Sequence, residues 1–315
     1  MMNIIYMGTP DFAVYPFEKL IEAGHNISLV ITQPDKAKGR SKALVPTPVK
    51  VAAQKHNIEV LQPEKVREET VVDRIKNLKP DVIVVAAYGQ ILPESILNIP
   101  TYGCINIHAS LMPKYRGAAP IERSILDGEE KTGVTTMYME KGLDTGDMID
   151  KIEVDITPDD TGETLHDKLA VCGAELIIKT LEKLETETAT REKQDDALSS
   201  YAPMLTKEMG EIDFSNPADY IDRQVRALIV WPCAYTKISG KNVKILKVRV
   251  TDIDEQKYMD AKPGEIIEIT KKNFTIKCGV GAITILKLLP EGKKPMDTVA
   301  YLNGNKLKTG MLVGE

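Results

Sequence analysis

The sequence is poor in the residues that form metal centres and disulfide frameworks. Its 315 residues include four cysteines and four histidines. No two cysteines form a C-x-x-C pair, and no H-E-x-x-H spacing occurs. The absence of these spacings argues against a zinc site and against metal catalysis, and scattered cysteines are typical of a reducing compartment. We therefore expect no metal ion.

Long apolar runs are also absent. No uninterrupted run approaches the roughly 18–20 residues that a membrane-spanning helix needs. The first residues, Met1–Met7, lack the basic flank and the cleavage site of a signal peptide. Hydrophobic residues make up 43% and charged residues 28%, a composition that excludes a disordered chain. The expected location is the cytoplasm.

Apolar runs and helical stretches alternate in the first half of the chain. The runs at 3–7, 27–31, 81–86 and 103–107 are rich in Val and Ile, which indicates strands buried on both faces. The spacing predicts helices from Asp11, as the cap, to Ala23 and over 161–184. The expected fold is an α/β doubly wound, mostly parallel sheet, and such sheets bind ligands beyond the carboxyl ends of their strands.

A dinucleotide-binding loop is missing from this sheet. The first predicted strand is followed by Gly8-Thr9-Pro10-Asp11-Phe12-Ala13, where a dinucleotide enzyme would have G-x-G-x-x-G. A dehydrogenase is therefore the weakest candidate for this fold class.

The last third of the chain has a different pattern. A polar run at 185–196 separates it from the sheet, and five short β-rich runs follow beyond residue 206. They predict a small β-barrel that resembles oligonucleotide-binding barrels. We therefore divide the chain into a catalytic domain at 1–189, a linker at 190–206 and an OB-like barrel at 207–315. From residue 205 onward there are 18 Lys and Arg against 14 Asp and Glu, a weak indication of a polyanionic partner.

Two polar turns contain candidate catalytic residues. Asn106 and His108 are two apart at the end of a predicted strand, so their side chains project to the same side. An amide that holds an oxyanion beside an imidazole that accepts a proton suits acyl transfer. The alternative is an ordinary strand end with a satisfied Asn and a half-buried His. In the second turn Asp144 either orients the His108 ring or, like Asp147, hydrogen-bonds its own backbone as a turn former.

A basic loop is the third candidate. Residues 36–50 contain five basic residues and no acidic one, between a predicted strand and a predicted helix. A basic loop at the carboxyl end of a strand can bind phosphates around an active site. The alternative is a solvated surface loop.

Together these segments resemble the folate-dependent formyltransferases over essentially the whole chain. Met112 departs from the family, which usually has leucine there, and Ala109 replaces a frequent glycine; both changes are small. The matching segments include Asn106-Ile-His108-Ala-Ser110-Leu-Met-Pro113-Lys-Tyr-Arg116-Gly117-Ala-Ala-Pro120, Gly133-Val-Thr-Thr, Gly142-Leu-Asp144-Thr-Gly146-Asp147, Gly8–Ala13, Gln33-Pro34-Asp35, Ala87-Tyr88-Gly89, Tyr201-Ala202, Ile212-Asp213 and Trp231-Pro232.

The resemblance implies an enzyme of one-carbon metabolism and translation initiation. It implies an enzyme that transfers the formyl group of 10-formyltetrahydrofolate to the amino group of methionyl initiator tRNA, with backbone contacts from the barrel. The residues it implies are Asn106, His108 and Asp144 for catalysis, Ser110, Leu111, Met112 and Pro113 for the folate, and Lys38, Arg40 and Lys42 for the acceptor end of the tRNA. Nothing in the sequence demands an oligomer, and we expect a monomer.

Three other functions fit parts of this pattern. A sugar-nucleotide N-formyltransferase has a similar catalytic core, and the basic loop counts against it. A glycinamide ribonucleotide formyltransferase is usually shorter, so the C-terminal barrel counts against that function. A non-catalytic tRNA-binding module has no need of an intact Asn106, His108 and Asp144.

Overall fold

The computed structural model describes residues 1–37 and 43–314. These residues form two compact units. The first comprises Met1–Pro120, Lys131–Asp155 and His166–Ala202, and the second comprises Ile121–Glu130, Ile156–Leu165 and Pro203–Glu315. Residues 190–202 of the predicted linker thus belong to the first unit. The domain boundaries stay a prediction.

Strands and helices follow the chain in this order. The strands are β1 (Asn3–Gly8), β2 (Asn26–Ile31), β3 (Lys36–Ala37), β4 (Leu44–Val45), β5 (Val60–Leu61), β6 (Val82–Ala86), β7 (Cys104–His108), β8 (Arg116–Gly117), β9 (Lys131–Tyr138), β10 (Met148–Asp155), β11 (Tyr201–Ala202), β12 (Ala234–Ile238), β13 (Lys241–Thr251), β14 (Ile266–Ile269), β15 (Phe274–Lys277), β16 (Ala282–Pro290) and β17 (Met296–Asp297). The helices are α1 (Val14–Glu22), α2 (Pro48–Lys55), α3 (Glu69–Leu78), α4 (Glu94–Leu97), α5 (Pro120–Leu126), α6 (Gly162–Glu185), α7 (Ala218–Ala227) and α8 (Thr298–Gly304).

A seven-stranded sheet with the order β10-β9-β7-β6-β1-β2-β5 forms the first unit. The five strands β7, β6, β1, β2 and β5 pair in parallel with their neighbours. Strand β9 pairs antiparallel with both β7 and β10. Every residue of β6 is buried, because helices cover both faces of a parallel sheet. The predicted mostly parallel α/β fold is confirmed.

The carboxyl ends of the parallel strands are tied together by short polar contacts. The Thr9 hydroxyl, just after β1, donates to the Tyr88 carbonyl oxygen at 2.9 Å. The Gln33 amide, just after β2, donates to the same oxygen at 3.2 Å. Residue His108 ends β7 at this edge of the sheet, which is where open α/β sheets place their ligands.

The first helix begins later than the sequence predicts. A single 3-10 turn spans Asp11–Ala13, closed by a hydrogen bond from the Ala13 N–H to the Pro10 carbonyl at 3.0 Å. Helix α1 starts only at Val14. The Asp11 carboxylate accepts from the N–H of Phe12, so the prediction that Asp11 caps α1 is wrong. Tight turns of this kind are common at helix N-termini.

The second unit contains an antiparallel sheet with the strand order β12-β13-β16-β15-β14, and β17 pairs with β16. Its core consists of residues from several strands and from α7, including the fully buried Phe274 and Ile221. In the part of the chain that the structure describes, β12 and β14 do not pair. A closed barrel is therefore not confirmed.

Short strands and the start of α2 lie at the two ends of the predicted basic loop. Strands β3 and β4 pair as a short antiparallel ribbon, and the Lys50 ammonium, on α2, lies 2.6 Å from the Asp35 carboxylate. Hydrogen bonds from Gln62 and, to a smaller extent, from Lys50 lower the pKa of Asp35. The Lys50 ammonium is thus paired with a carboxylate of the protein itself. The other basic candidates, Lys38, Arg40 and Lys42, lie outside the described residues.

Candidate active site

The final strand of the parallel set supplies the first two candidate residues. Asn106 and His108 are both on β7 and are only 8% and 6% exposed. They pair with Met137 and Thr135 of β9. Because alternate residues of a strand share a face, the amide and the imidazole lie on the same side of the sheet, as predicted.

Asp144 comes from the turn that joins β9 to β10. Its backbone is left-handed, with φ of 53°, a conformation that Asp tolerates better than most residues. The turn is closed by a hydrogen bond from the Tyr138 N–H to the Asp147 carbonyl at 2.9 Å. A Cβ on Gly146 would lie 1.8 Å from the Tyr138 carbonyl oxygen. Only glycine therefore fits this turn in its present shape.

The structure brings the three predicted catalytic residues together. The Asp144 carboxylate lies 3.8 Å from His108 Nδ1 through Oδ2. Its other oxygen, Oδ1, accepts from the Asn106 amide at 3.5 Å. The backbone N–H of Gly117 donates to Oδ2 at 2.9 Å. The carboxylate is thus held between an amide, an imidazole and a backbone donor.

One ring nitrogen of His108 is committed to the backbone. Nε2 lies 2.9 Å from the carbonyl oxygen of Tyr115. A carbonyl oxygen can only accept, so Nε2 carries a proton. In the neutral ring the basic lone pair is then on Nδ1, the nitrogen that faces Asp144. The ring can therefore take up or release a proton at Nδ1 without losing its hold on Tyr115.

The residues predicted to hold the folate form a tight turn after β7. The Ser110 hydroxyl donates to the Lys114 carbonyl at 2.7 Å, and Thr135 bridges the Ser110 carbonyl and the Met112 N–H. Ser110 and Met112 are buried, and Leu111 and Pro113 are half-buried. The first pair shapes the turn, and the second pair is partly open to solvent. Folate binding by these four residues stays a prediction.

Sequence reasoning missed the residues that fix this arrangement from outside the two turns. Gln194 donates at 2.8 Å to the carbonyl oxygens of both Asp144 and Gly146, and its own oxygen accepts from Arg116 at 3.0 Å. Gln194 lies in a polar run that the sequence marks as a linker, so no local signal pointed to it.

A cavity of about 640 Å³ lies in the same unit. Its lining includes Cys104 at the start of β7 and residues 138–141, the first part of the turn that carries Asp144. Asn106, His108 and Asp144 do not line this cavity, so it is separate from the candidate active site. Within residues 1–37 and 43–314, no group of three or more His, Cys, Asp or Glu side chains is placed to hold a metal ion. No helix in those ranges is both long and apolar enough to cross a membrane.

Comparison with known families assigns both parts of the chain. Residues 2–181 match the family described as formyl transferase, and residues 204–306 match the formyl transferase C-terminal domain. The chain belongs to the formyl transferase family. The site at the end of β7 is therefore the candidate active site of a formyltransferase.

Curated relatives match this formyltransferase from end to end. A methionyl-tRNA formyltransferase of Lachnospira eligens is 50% identical over 317 residues, covering 100% of both chains. Another, from Alkaliphilus metalliredigens, is 52% identical over 314 residues, covering 100% of this chain and 99% of the relative.

Solved structures show the same fold at lower identity. WlaRD, a sugar 3N-formyltransferase whose structure contains dTDP and 5-N-formyl-THF, is 23% identical with a TM-score of 0.68; the match covers 93% of this chain and 99% of that one. HypX of Aquifex aeolicus in complex with tetrahydrofolic acid is 16% identical with a TM-score of 0.65, covering 98% of this chain and 50% of HypX.

We expect Gly146→Ala to lower the rate of formyl transfer by about 100-fold, because the Asp144 turn must shift to clear the Tyr138 carbonyl and misplaced catalytic groups cost about that much. The measurement is the single-turnover rate of formylation. Gly304→Ala is the matched control, since an added Cβ there meets nothing within 4 Å. A Gly146→Ala rate equal to that of the control would contradict the geometry of the turn.

Proposed function

We propose that this enzyme transfers the formyl group of 10-formyltetrahydrofolate to the free amino group of methionyl initiator tRNA, for translation initiation. The convergence of Asn106, His108 and Asp144 at the carboxyl end of β7 carries the proposal. Family membership supports formyl transfer. Full-length relatives at 50–52% identity that are named methionyl-tRNA formyltransferases support this acceptor.

Asn106 stabilises the charge that develops on the formyl oxygen. The methionyl amino group attacks the formyl carbon carried on N10 of the folate, which gives a tetrahedral centre with a negative oxygen. The Asn106 amide is mostly removed from water, where a fixed donor is worth more than in solution. Asn106 therefore supplies the oxyanion-binding donor.

His108 and Asp144 move the proton. The attacking amine must lose a proton, and N10 of the folate must gain one as the C–N bond breaks. Nδ1 of His108 is free to exchange a proton because Nε2 is held by Tyr115. Asp144 lies on the Nδ1 side at 3.8 Å, close enough to stabilise the charged ring. The two groups act as one coupled acid–base pair.

The remaining features fit the same function. From residue 205 onward Lys and Arg outnumber Asp and Glu, and this part of the chain binds the tRNA backbone. Lys38, Arg40 and Lys42 contact the acceptor end, and Ser110, Leu111, Met112 and Pro113 shape the folate site. The cytoplasmic location and the monomeric state stay predictions.

The choice of acceptor is tested directly. We expect labelled 10-formyltetrahydrofolate to formylate charged methionyl initiator tRNA and to leave a dTDP-amino sugar unmodified. Transfer of label to each acceptor is measured under the same conditions. Formylation of the amino sugar alone would replace this proposal with a sugar N-formyltransferase, whose fold the chain shares.

The catalytic roles are tested by single substitutions. We expect Asn106→Ala to lower kcat by about 10²–10³-fold, the usual cost of one oxyanion donor, and Asp144→Ala to lower it by about 10²–10⁴-fold through loss of acid–base catalysis. Folate affinity, measured by titration calorimetry, should change little. Near-normal turnover in either variant would remove that residue from the catalytic set.

The basic loop is tested through its salt dependence. We expect Arg40→Ala to raise KM for the tRNA and to flatten the dependence of log KM on log salt concentration, because each lost phosphate contact reduces that slope by roughly 0.7–0.9. KM for the folate serves as the internal control. An unchanged slope would show that Arg40 does not contact a phosphate.

A further inference from the structure

A second set of contacts surrounds the candidate active site without contributing to the chemistry. Residues 194–202, called here the 194–202 segment, follow α6 and lie in the first unit. The segment contacts both turns that carry the site, the one at residues 115–119 and the one at residues 139–147.

Contacts with the first turn are made by the end of the segment. Strand β11 pairs in parallel with β8, and the Tyr115 N–H donates to the Ser200 hydroxyl at 2.9 Å. The Ala118 N–H donates to the Ala202 carbonyl at 2.9 Å. This turn supplies the Tyr115 carbonyl that holds His108 and the Gly117 N–H that holds Asp144.

Gln194, the first residue of the segment, contacts the second turn. Both hydrogens of its amide are used, on the carbonyl oxygens of Asp144 and Gly146 at 2.8 Å each. One carbonyl belongs to Asp144, whose backbone is left-handed, and the other belongs to Gly146, which packs closely against the Tyr138 backbone. Two donors from one rigid amide fix the direction in which the Asp144 side chain leaves the backbone.

Arg116 joins the two sets of contacts. Its Nε donates to the Gln194 oxygen at 3.0 Å, and its guanidinium lies 2.8 Å from the Asp196 carboxylate. The Arg116 side chain is only 13% exposed. Gln194 is therefore held in position by the first turn while it holds the second.

We infer that Gln194 is a positioning residue that sets the distance between the Asp144 carboxylate and the His108 ring. It acts through the backbone of the Asp144 turn and touches none of the catalytic side chains. A glutamine is suited to this role because its amide has both the two donors that the carbonyls need and the acceptor that Arg116 needs. The inference rests on the proposed roles of His108 and Asp144.

Two substitutions at one position separate this role from simple packing. Gln194→Glu keeps an oxygen for Arg116 but removes both donors and places negative charge beside two carbonyl oxygens. Gln194→Ala removes every contact. Gln54→Glu and Gln54→Ala are matched controls, because Gln54 is exposed on α2. For each variant the single-turnover rate, KM for both substrates and the melting temperature are measured.

Both Gln194 variants should lose about 100-fold in the single-turnover rate, with KM for folate and for tRNA close to the wild-type values. Gln194→Glu should keep a single cooperative melting transition, since it retains the contact with Arg116. The Gln54 variants should match the wild type in every measurement.

Two results would overturn the inference. One is a Gln194→Glu rate equal to the wild-type rate. The other is a loss of rate in both Gln194 variants together with a raised KM for folate and for tRNA, which indicates a general structural role. Because the Asp144→Ala variant tests the proposed function separately, its inactivity alongside an active Gln194→Glu variant would reject only the positioning role.

Discussion

The arrangement of the whole candidate site depends on one carboxylate, that of Asp144, whose side chain is only 14% exposed. Asp144 has one oxygen bound by the Gly117 N–H at 2.9 Å and the other near the Asn106 amide at 3.5 Å. A carboxylate that is largely removed from water needs such donors, because an unpaired buried charge is costly. The donors that stabilise it also hold it beside the imidazole, so the stability of the turn and the alignment of the candidate catalytic groups have the same origin.

The topology of the first unit explains how these groups meet. A parallel sheet brings the ends of its strands to one edge, which places His108 there but supplies no acid beside it. The antiparallel strands β9 and β10 add the missing group, because the turn between them returns alongside β7. The antiparallel pairing of β9 with β7 and β10 therefore places Asp144 beside His108.

Sequence patterns predicted the regular parts of this structure better than the contacts between distant segments. The Val and Ile run at residues 82–86 predicted β6, because a strand that is buried on both faces consists of consecutive apolar residues and is recognisable from its own sequence. Asn106 and His108 were paired correctly because strand alternation is a local rule. Asp144 was placed beside them only through the family resemblance. Gln194 was missed because its partners are backbone carbonyls about fifty residues away. Every residue has a backbone carbonyl, so such a contact requires no particular residue type near Gln194.

The distance along the chain between the catalytic turns and the 194–202 segment has a consequence for biosynthesis. The Gln194–Asp144 contact joins residues separated by 50 positions, and the Ser200–Tyr115 contact joins residues separated by 85. The parallel strands and all three candidate catalytic side chains leave the ribosome before Gln194 or Ser200 does. A nascent chain that ends at residue 189 thus contains all three candidate catalytic residues but lacks these two hydrogen bonds, so the contacts that hold the two turns together form only after residues 190–202 have been made.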